Sequence, residues 1–103
     1  MSISDVQLKG SYYQVFDENG KKIKDIFEGT VGELCGIGTN FIVFFKGSYY
    51  TTYDENGKKI KDAFQGTVGE FKSAVGSTIN FVRNSYLATY DENFKKISER
   101  HIS

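Results

Sequence analysis

Several residue types on which particular folds and chemistries depend are scarce or missing in this chain of 103 residues. There is no proline and no tryptophan, only one cysteine and one histidine, and 13 basic residues balance 13 acidic ones. One cysteine excludes an internal disulfide, and one cysteine with one histidine excludes a Cys/His metal cluster. Zero net charge argues against nucleic-acid and membrane-surface partners, because both recognise a net basic face. We therefore expect no metal, no cofactor, no nucleic acid and no membrane.

Long apolar runs and targeting signals are missing as well. No segment approaches the roughly 18 consecutive apolar residues of a membrane helix. Residues 1–5 do not resemble the start of a signal peptide, which needs a basic region followed by an apolar run. The unpaired thiol of Cys35 suits a reducing compartment. The sequence predicts a cytoplasmic protein with a single domain over residues 1–103.

A repeat of 37 residues organises the chain. Residues 12–48 and 49–85 align without gaps and are identical at 20 of 37 positions. A third copy begins at Tyr86, and the residues that precede Tyr12 match the end of a copy. The chain thus divides into units of about 5–28, 29–65 and 66–103.

Within each unit, short apolar segments alternate with turn signals. Gly-Ser, Asn-Ser and Asn-Gly pairs suit tight hairpins, and no segment keeps a helical period. The sequence therefore predicts an antiparallel all-β fold built from short strands. The predicted strands are Val6–Lys9, Tyr12–Phe16, Lys22–Phe27, Val31–Cys35, Phe41–Lys46, Tyr49–Tyr53, Lys59–Phe64, Val68–Ser73, Ile79–Arg83, Tyr86–Tyr90 and Lys96–His101.

The faces of these strands favour a stack of sheets. The strand Phe41–Lys46 is apolar on both faces, which requires cover on both sides, whereas Asp5 and Gln7 take the positions of Ile42 and Phe44 in the first unit. Four-stranded sheets stacked like propeller blades satisfy this pattern. Three blades do not close a ring, so we expect a homo-oligomer in which two chains supply six blades. A pseudo-threefold monomer of the β-prism or β-trefoil type is the alternative.

The architecture resembles short-repeat β-propeller and lectin-like proteins, including those whose ring is completed by oligomerisation. The resemblance spans the chain and rests on the hairpin Tyr-Asp-Glu-Asn-Gly-Lys-Lys-Ile, which begins at Tyr53 and has close copies beginning at Phe16 and Tyr90. Repeat lectins of this kind usually place tryptophan in their sugar sites, and this chain has none. The Gln-x-Asp-x-Asn-x-Val-x-Tyr pattern of the β-prism mannose lectins is absent too. The resemblance therefore implies an architecture and no set of binding residues.

Tyrosines at equivalent positions of the repeats are the candidate ligand-binding residues. Tyrosine offers an apolar ring and a hydroxyl, a combination that suits sugars and protein surfaces. The candidates are Tyr12, Tyr13, Tyr49, Tyr50 and Tyr86. The sequence predicts a non-enzymatic binding module for a carbohydrate, another small polar ligand or a protein, with core packing of the tyrosines as the competing interpretation. The alternative function is a structural or interaction protein that self-assembles.

The other repeated motifs are interpreted as parts of the fold. The triplets that begin at Asp17, Asp54 and Asp91 are too short for a calcium loop and are expected to stabilise turns. The lysine pairs that follow them suit solvated outer strands, where lysine blocks edge-to-edge pairing. The two Gly-Thr-Val-Gly-Glu segments lack the features of a phosphate loop and are expected within innermost strands.

Three single residues break the repeat. Cys35 stands where Lys72 stands in the next unit, so we expect a partly exposed and readily reactive thiol. His101 occupies a position held by phenylalanine in the earlier units, which favours packing over catalysis. Phe94 replaces the glycine of the other two Asn-Gly turns, where positive φ strains a bulky residue. We expect Phe94 to be retained for a contact with another subunit.

Overall fold

The computed structural model describes residues 2–102, and strand accounts for 65% of the chain, which confirms the all-β prediction. Two one-turn helices, α1 (Glu28–Val31) and α2 (Gln65–Val68), interrupt the strands. The strands are β1 Ile3–Lys9, β2 Tyr12–Asp17, β3 Lys22–Phe27, β4 Glu33–Ile37, β5 Phe41–Lys46, β6 Tyr49–Asp54, β7 Lys59–Phe64, β8 Glu70–Val75, β9 Thr78–Arg83, β10 Tyr86–Asp91 and β11 Lys96–His101.

The strands form three antiparallel sheets in chain order. The first sheet contains β1, β2 and β3, the second runs from β4 to β7, and the third from β8 to β11. In each sheet, every strand pairs with the strand that precedes or follows it in the chain. The strand that follows each α-helix begins a new sheet, β4 after α1 and β8 after α2. The first sheet has three strands, and the second and third have four each.

The helices α1 and α2 correct the prediction that the Gly-Thr-Val-Gly-Glu segments lie within strands. Val31, predicted as a strand residue, ends α1 with its side chain buried, and β4 begins only at Glu33. Gly32 between them has a φ of 86°, which the turn out of the helix requires and which favours glycine. The repeated motif therefore encodes a corner between two sheets.

The Asp-Glu-Asn triplets form turns, as predicted. In each copy, Oδ1 of the aspartate accepts hydrogen bonds from the backbone N–H groups two and four residues later, at 2.8 to 3.0 Å. Asp17 is 1% exposed and is the most buried of the three. The carboxylate thus accepts from backbone N–H groups that have no backbone partner in the turn.

The lysine pairs lie at the outer edge of each sheet, also as predicted. Lys22, Lys59 and Lys96 begin the edge strands and pair with a carboxylate three residues later, at 2.9 to 3.4 Å. A register shift in each edge strand marks a bulge, at Ile23 in β3. Bulges and exposed lysines both hinder the addition of a further strand to this edge.

The hydrophobic core has two layers, one on each face of the second sheet. Ile42 and Phe44 pack against the first sheet, while Phe41 and Val43 pack against the third. All four side chains are at most 1% exposed, and burial of each contributes about 1.5 to 3 kcal/mol to folding. The two-sided cover predicted for this strand is therefore present within one chain.

The outward faces of the first and third sheets carry polar side chains at positions that are apolar in the second sheet. Asp5 and Gln7 are exposed on the first sheet, as the sequence predicted. On the third sheet, Asn80 takes the repeat position of Val43, and its side chain joins a hydrogen-bonded row with Ser73 and Thr89. Polar side chains thus stand on the two outward faces at positions where the second sheet is apolar.

Candidate functional site

The five candidate tyrosines fall into two groups. Tyr13 and Tyr50 are each 4% exposed and lie in the core. The Tyr13 hydroxyl donates to the Gly32 carbonyl at 2.8 Å and accepts from the Leu34 N–H at 3.2 Å, while the Tyr50 hydroxyl accepts from the Phe71 N–H at 2.9 Å. These bonds join each sheet to the first strand of the next. Burial raises the pKa of Tyr13, so its hydroxyl stays protonated at neutral pH and keeps its donor proton.

The other three tyrosines share one position in the sheets and are about half exposed. Tyr12, Tyr49 and Tyr86 are 48%, 46% and 44% exposed and begin β2, β6 and β10. Each ring packs on the aromatic residue opposite it in the edge strand, with centroids 5.1 to 5.5 Å apart. In the third sheet this partner is His101, which confirms the packing role expected for it. The three pairs offer an aromatic surface to solvent at the same end of each sheet.

Tyr86 lines a cleft between α2 and the third sheet. The cleft has a volume of about 270 Å³. Its lining combines two tyrosines, two cations, a carboxylate, an amide and a hydroxyl. The residues are Thr67, Val68, Arg83, Asn84, Tyr86, Ala88, Tyr90, Lys96 and Glu99. Of the five candidate tyrosines, Tyr86 is the one that contributes an exposed ring to this cleft.

The charges of the cleft are unevenly paired. Lys96 forms an exposed ion pair with Glu99 at 3.4 Å, which contributes little to stability because both groups remain hydrated. Arg83 occupies the repeat position of Lys46, whose ammonium group donates to the Gly29 carbonyl in α1. Lys46 thus links β5 to α1 through this hydrogen bond, whereas Arg83 lines the cleft. A guanidinium beside an aromatic ring suits a ligand with a carboxylate or several hydroxyl groups.

Tyr50 contributes to a second cleft, at the corner between the second and third sheets. This cleft has a volume of about 380 Å³ and includes Cys35, Phe45 and Glu70. Cys35 is half-buried, in agreement with the partial exposure expected. Burial, with the nearby Glu33 carboxylate, raises the pKa of the Cys35 thiol to about 11. The thiolate is therefore scarce at neutral pH, which argues against the ready reactivity predicted from the sequence.

Phe94 is positioned by its own chain. Its φ is 58°, so the positive φ expected at this turn is confirmed. Its ring lies 6.2 Å from that of Phe81, at the edge of the core between the second and third sheets. The ring therefore has a contact within its own chain, and the contact with another subunit remains a prediction.

Sequence reasoning found Tyr86 but missed the residues that surround it. Arg83 and Asn84 are the third-unit versions of Lys46 and Gly47, and these two departures from the repeat are the signal that marks the cleft. Thr67 lies in α2, a helical turn that the sequence did not predict, and this turn brings it to the cleft. Across residues 2–102, no group of three or more His, Cys, Asp or Glu side chains is placed to hold a metal ion.

The fold defines an all-β chain of three antiparallel sheets with an aromatic and charged cleft beside the third. Comparisons with protein-family models, with curated proteins and with solved structures gave no significant match. Within residues 2–102, no helix has both the length and the apolar character needed to cross a membrane.

Proposed function

We propose that the chain is a non-enzymatic binding module that takes a carbohydrate or another small polar ligand in the cleft beside Tyr86. The observation that carries this proposal is the convergence of an exposed tyrosine ring with Arg83, Asn84 and Glu99 on one concave surface. The ring provides an apolar platform for the face of a sugar, and the polar groups provide directional hydrogen bonds.

A ligand screen tests this function directly. Thermal shift against a panel of neutral and acidic sugars is expected to give stabilisation by at least one member, because binding to the folded state alone raises its stability. Tyr86→Ala is expected to abolish that shift. Tyr12→Ala is the matched control, since Tyr12 has nearly the same exposure and packs against a ring in the same way.

The two variants separate the proposal from its alternatives. Loss of the shift in both variants would mean that the tyrosines act through stability and not through contact with ligand. An absence of any shift across the panel, with the unmodified protein folded, would overturn the carbohydrate assignment.

A second proposed function is self-assembly into a homo-oligomer, supported by the way neighbouring sheets connect. The Ile3 N–H donates to the Thr39 carbonyl at 2.7 Å, and the Thr39 N–H donates to the Gly76 carbonyl at 2.8 Å. A backbone hydrogen bond of the same kind thus links the first sheet to the second and the second to the third. Val75, beside Gly76, is 65% exposed. A second copy that continued this pattern of hydrogen bonds would place its first sheet next to Val75.

Light scattering behind a sizing column at tens of micromolar tests the assembly. We expect a mass of two chains, which would complete six propeller-like blades. A monomer at these concentrations would overturn the assembly and favour the stack of three sheets, or a closed pseudo-threefold form, as the working unit.

A further inference from the structure

Within residues 2–102, the inner edge of the first sheet, formed by β1, has no strand at the position that β4 and β8 occupy in the other two sheets. In the second sheet, β4 pairs with β5 along Val43 and Phe45, and in the third sheet β8 pairs with β9 in the same way. By the repeat, Val6 and Leu8 correspond to Val43 and Phe45. Among residues 2–102, the first sheet contains only β1, β2 and β3.

The register shows which backbone groups face this edge. Lys9 and Tyr12 flank a two-residue hairpin and form its closing pair, so alternate residues of β1 bond to β2. The backbone groups of Val6 and Leu8 therefore point away from β2. The Val6 N–H is bonded by a side chain, since Oδ1 of Asp5 accepts from it at 2.9 Å.

Two further features make this edge accessible to an added strand. From Asp5 to Lys9 the pairing of β1 with β2 is regular, whereas each outer edge strand carries a bulge. Leu8 is 51% exposed, whereas its counterpart Phe45 is half-buried with Glu33 of β4 opposite it. From Asp5 to Lys9, the inner edge thus offers a regularly paired strand with an exposed apolar side chain.

We propose that the β1 edge is a docking site for an extended segment that adds to the first sheet as an antiparallel fourth strand. The strands β4 and β8 show the chemistry that such a segment needs. A small residue stands opposite the second sheet's Val43 and the third sheet's Asn80, namely Gly36 and Ser73. The docked strand binds through main-chain hydrogen bonds, and a small residue opposite Val6 gives it specificity.

The small residue is required because the next sheet lies directly behind it. A Cβ atom added at Gly36 would lie 2.6 Å from the Phe71 ring. Leu34 of β4 is the counterpart of Phe71 by the repeat and packs toward the first sheet. A bulky residue opposite Val6 would therefore collide with Leu34, whereas glycine, alanine or serine would fit.

A peptide copied from the chain's own fourth strand is the probe. A fluorescein-labelled peptide of residues 30–39, with serine replacing Cys35, is titrated with the intact protein and followed by anisotropy. We expect saturable binding, and a Gly36→Val peptide is expected to bind at least about tenfold more weakly because of the clash at Leu34. Hydrogen exchange is expected to show new protection at the Val6 and Leu8 amides.

Asp5 provides a test on the protein side. The peptide must displace its carboxylate from the Val6 N–H, so Asp5→Ala is expected to tighten binding by about three- to tenfold. Asp25→Ala is the matched control, because Asp25 is an exposed carboxylate on the opposite edge strand of the same sheet. The affinity of the Asp25→Ala protein for the peptide is expected to equal that of the unmodified protein.

Three outcomes would overturn this proposal. The first is an absence of saturable binding up to about 1 mM peptide. The second is equal binding of the Gly36→Val peptide, or protection confined to the outer edge strands. The third is protection of Val6 and Leu8 that rises with protein concentration in the absence of peptide, which would make a second copy the occupant. The ligand screen at Tyr86 is independent of all three.

Discussion

At the scale of single residues, departures from the repeat are where the structure departs most from the sequence expectation. Phe94 stands where the other two units have glycine, Cys35 stands where the next unit has Lys72, and both contact the core between the second and third sheets. The pattern identified both positions. It did not identify their surroundings, because exposure at these sites depends on which sheet lies behind them.

Phe94 combines a strained backbone with a ring contact, and two substitutions separate these effects. Phe94→Ala removes the contact with Phe81 and keeps a side chain at positive φ, so we expect a loss of about 1 to 2 kcal/mol in the free energy of unfolding. Phe94→Gly loses the same contact but relieves the strain, so it should be more stable than Phe94→Ala by about 1 kcal/mol. Urea denaturation of both variants measures the difference. Equal stabilities would show that the turn is unstrained.

Cys35 gives a prediction of pH dependence. The thiolate is the reactive species, and a pKa raised from 9.0 to about 11 lowers its fraction at neutral pH about a hundredfold. Labelling of the folded protein at pH 7 should therefore be about a hundredfold slower than labelling in denaturant. The folded-state rate should rise about tenfold for each pH unit until it levels off near pH 11. A plateau near pH 9 would contradict the burial of this thiol.

At the scale of elements, the strands were predictable because their signals are local. Short strand-favouring segments between turn residues set the bounds of β3, β5, β7 and β11 at the residues predicted. The helices α1 and α2 were not predicted, because a single turn has no period to detect and the glycines in it suggested extended chain. The ring of Phe27 packs over Gly29, where a Cβ atom would lie 2.5 Å from it. Only the structure shows this contact.

The aspartate turns are elements whose stability should vary with burial. Asp17 and Asp91 accept the same two backbone hydrogen bonds, but Asp17 is 1% exposed and Asp91 is partly exposed. Asp17→Ala leaves two N–H groups that water reaches poorly, so we expect a loss of about 2 kcal/mol or more. Asp91→Ala should cost less, since water can replace the carboxylate.

The control for these turns is Asp25→Ala, which removes an exposed ion pair and should cost at most about 1 kcal/mol. Thermal unfolding of the three variants ranks them. An Asp17 variant no less stable than the Asp25 variant would show that the turn holds without its side-chain bonds.

At the scale of the whole molecule, the candidate cleft could be predicted only in part. Tyr86 was identified because its position repeats, but the cleft depends on Arg83 and on α2, and hence on how the second and third sheets are arranged. The two apolar faces of β5 correctly required two neighbouring layers. They did not show that one chain supplies both layers. An apolar face indicates that another layer packs on it, but not whether that layer belongs to the same chain or to a second copy.

The polar side chains on the two outward faces lead to a last prediction about association. Asn80 and Gln7 take the repeat positions of Val43 and Phe44, the residues that face the two core layers of the second sheet. Asn80→Val together with Gln7→Phe would give both terminal faces the apolar character of the central sheet. We expect this double variant to associate more strongly than the unmodified chain, since exposed apolar faces seek cover. Light scattering at matched concentrations measures the difference, with Thr30→Val, at an exposed site in α1, as the control. An unchanged mass would mean that the polarity of these two positions does not limit association.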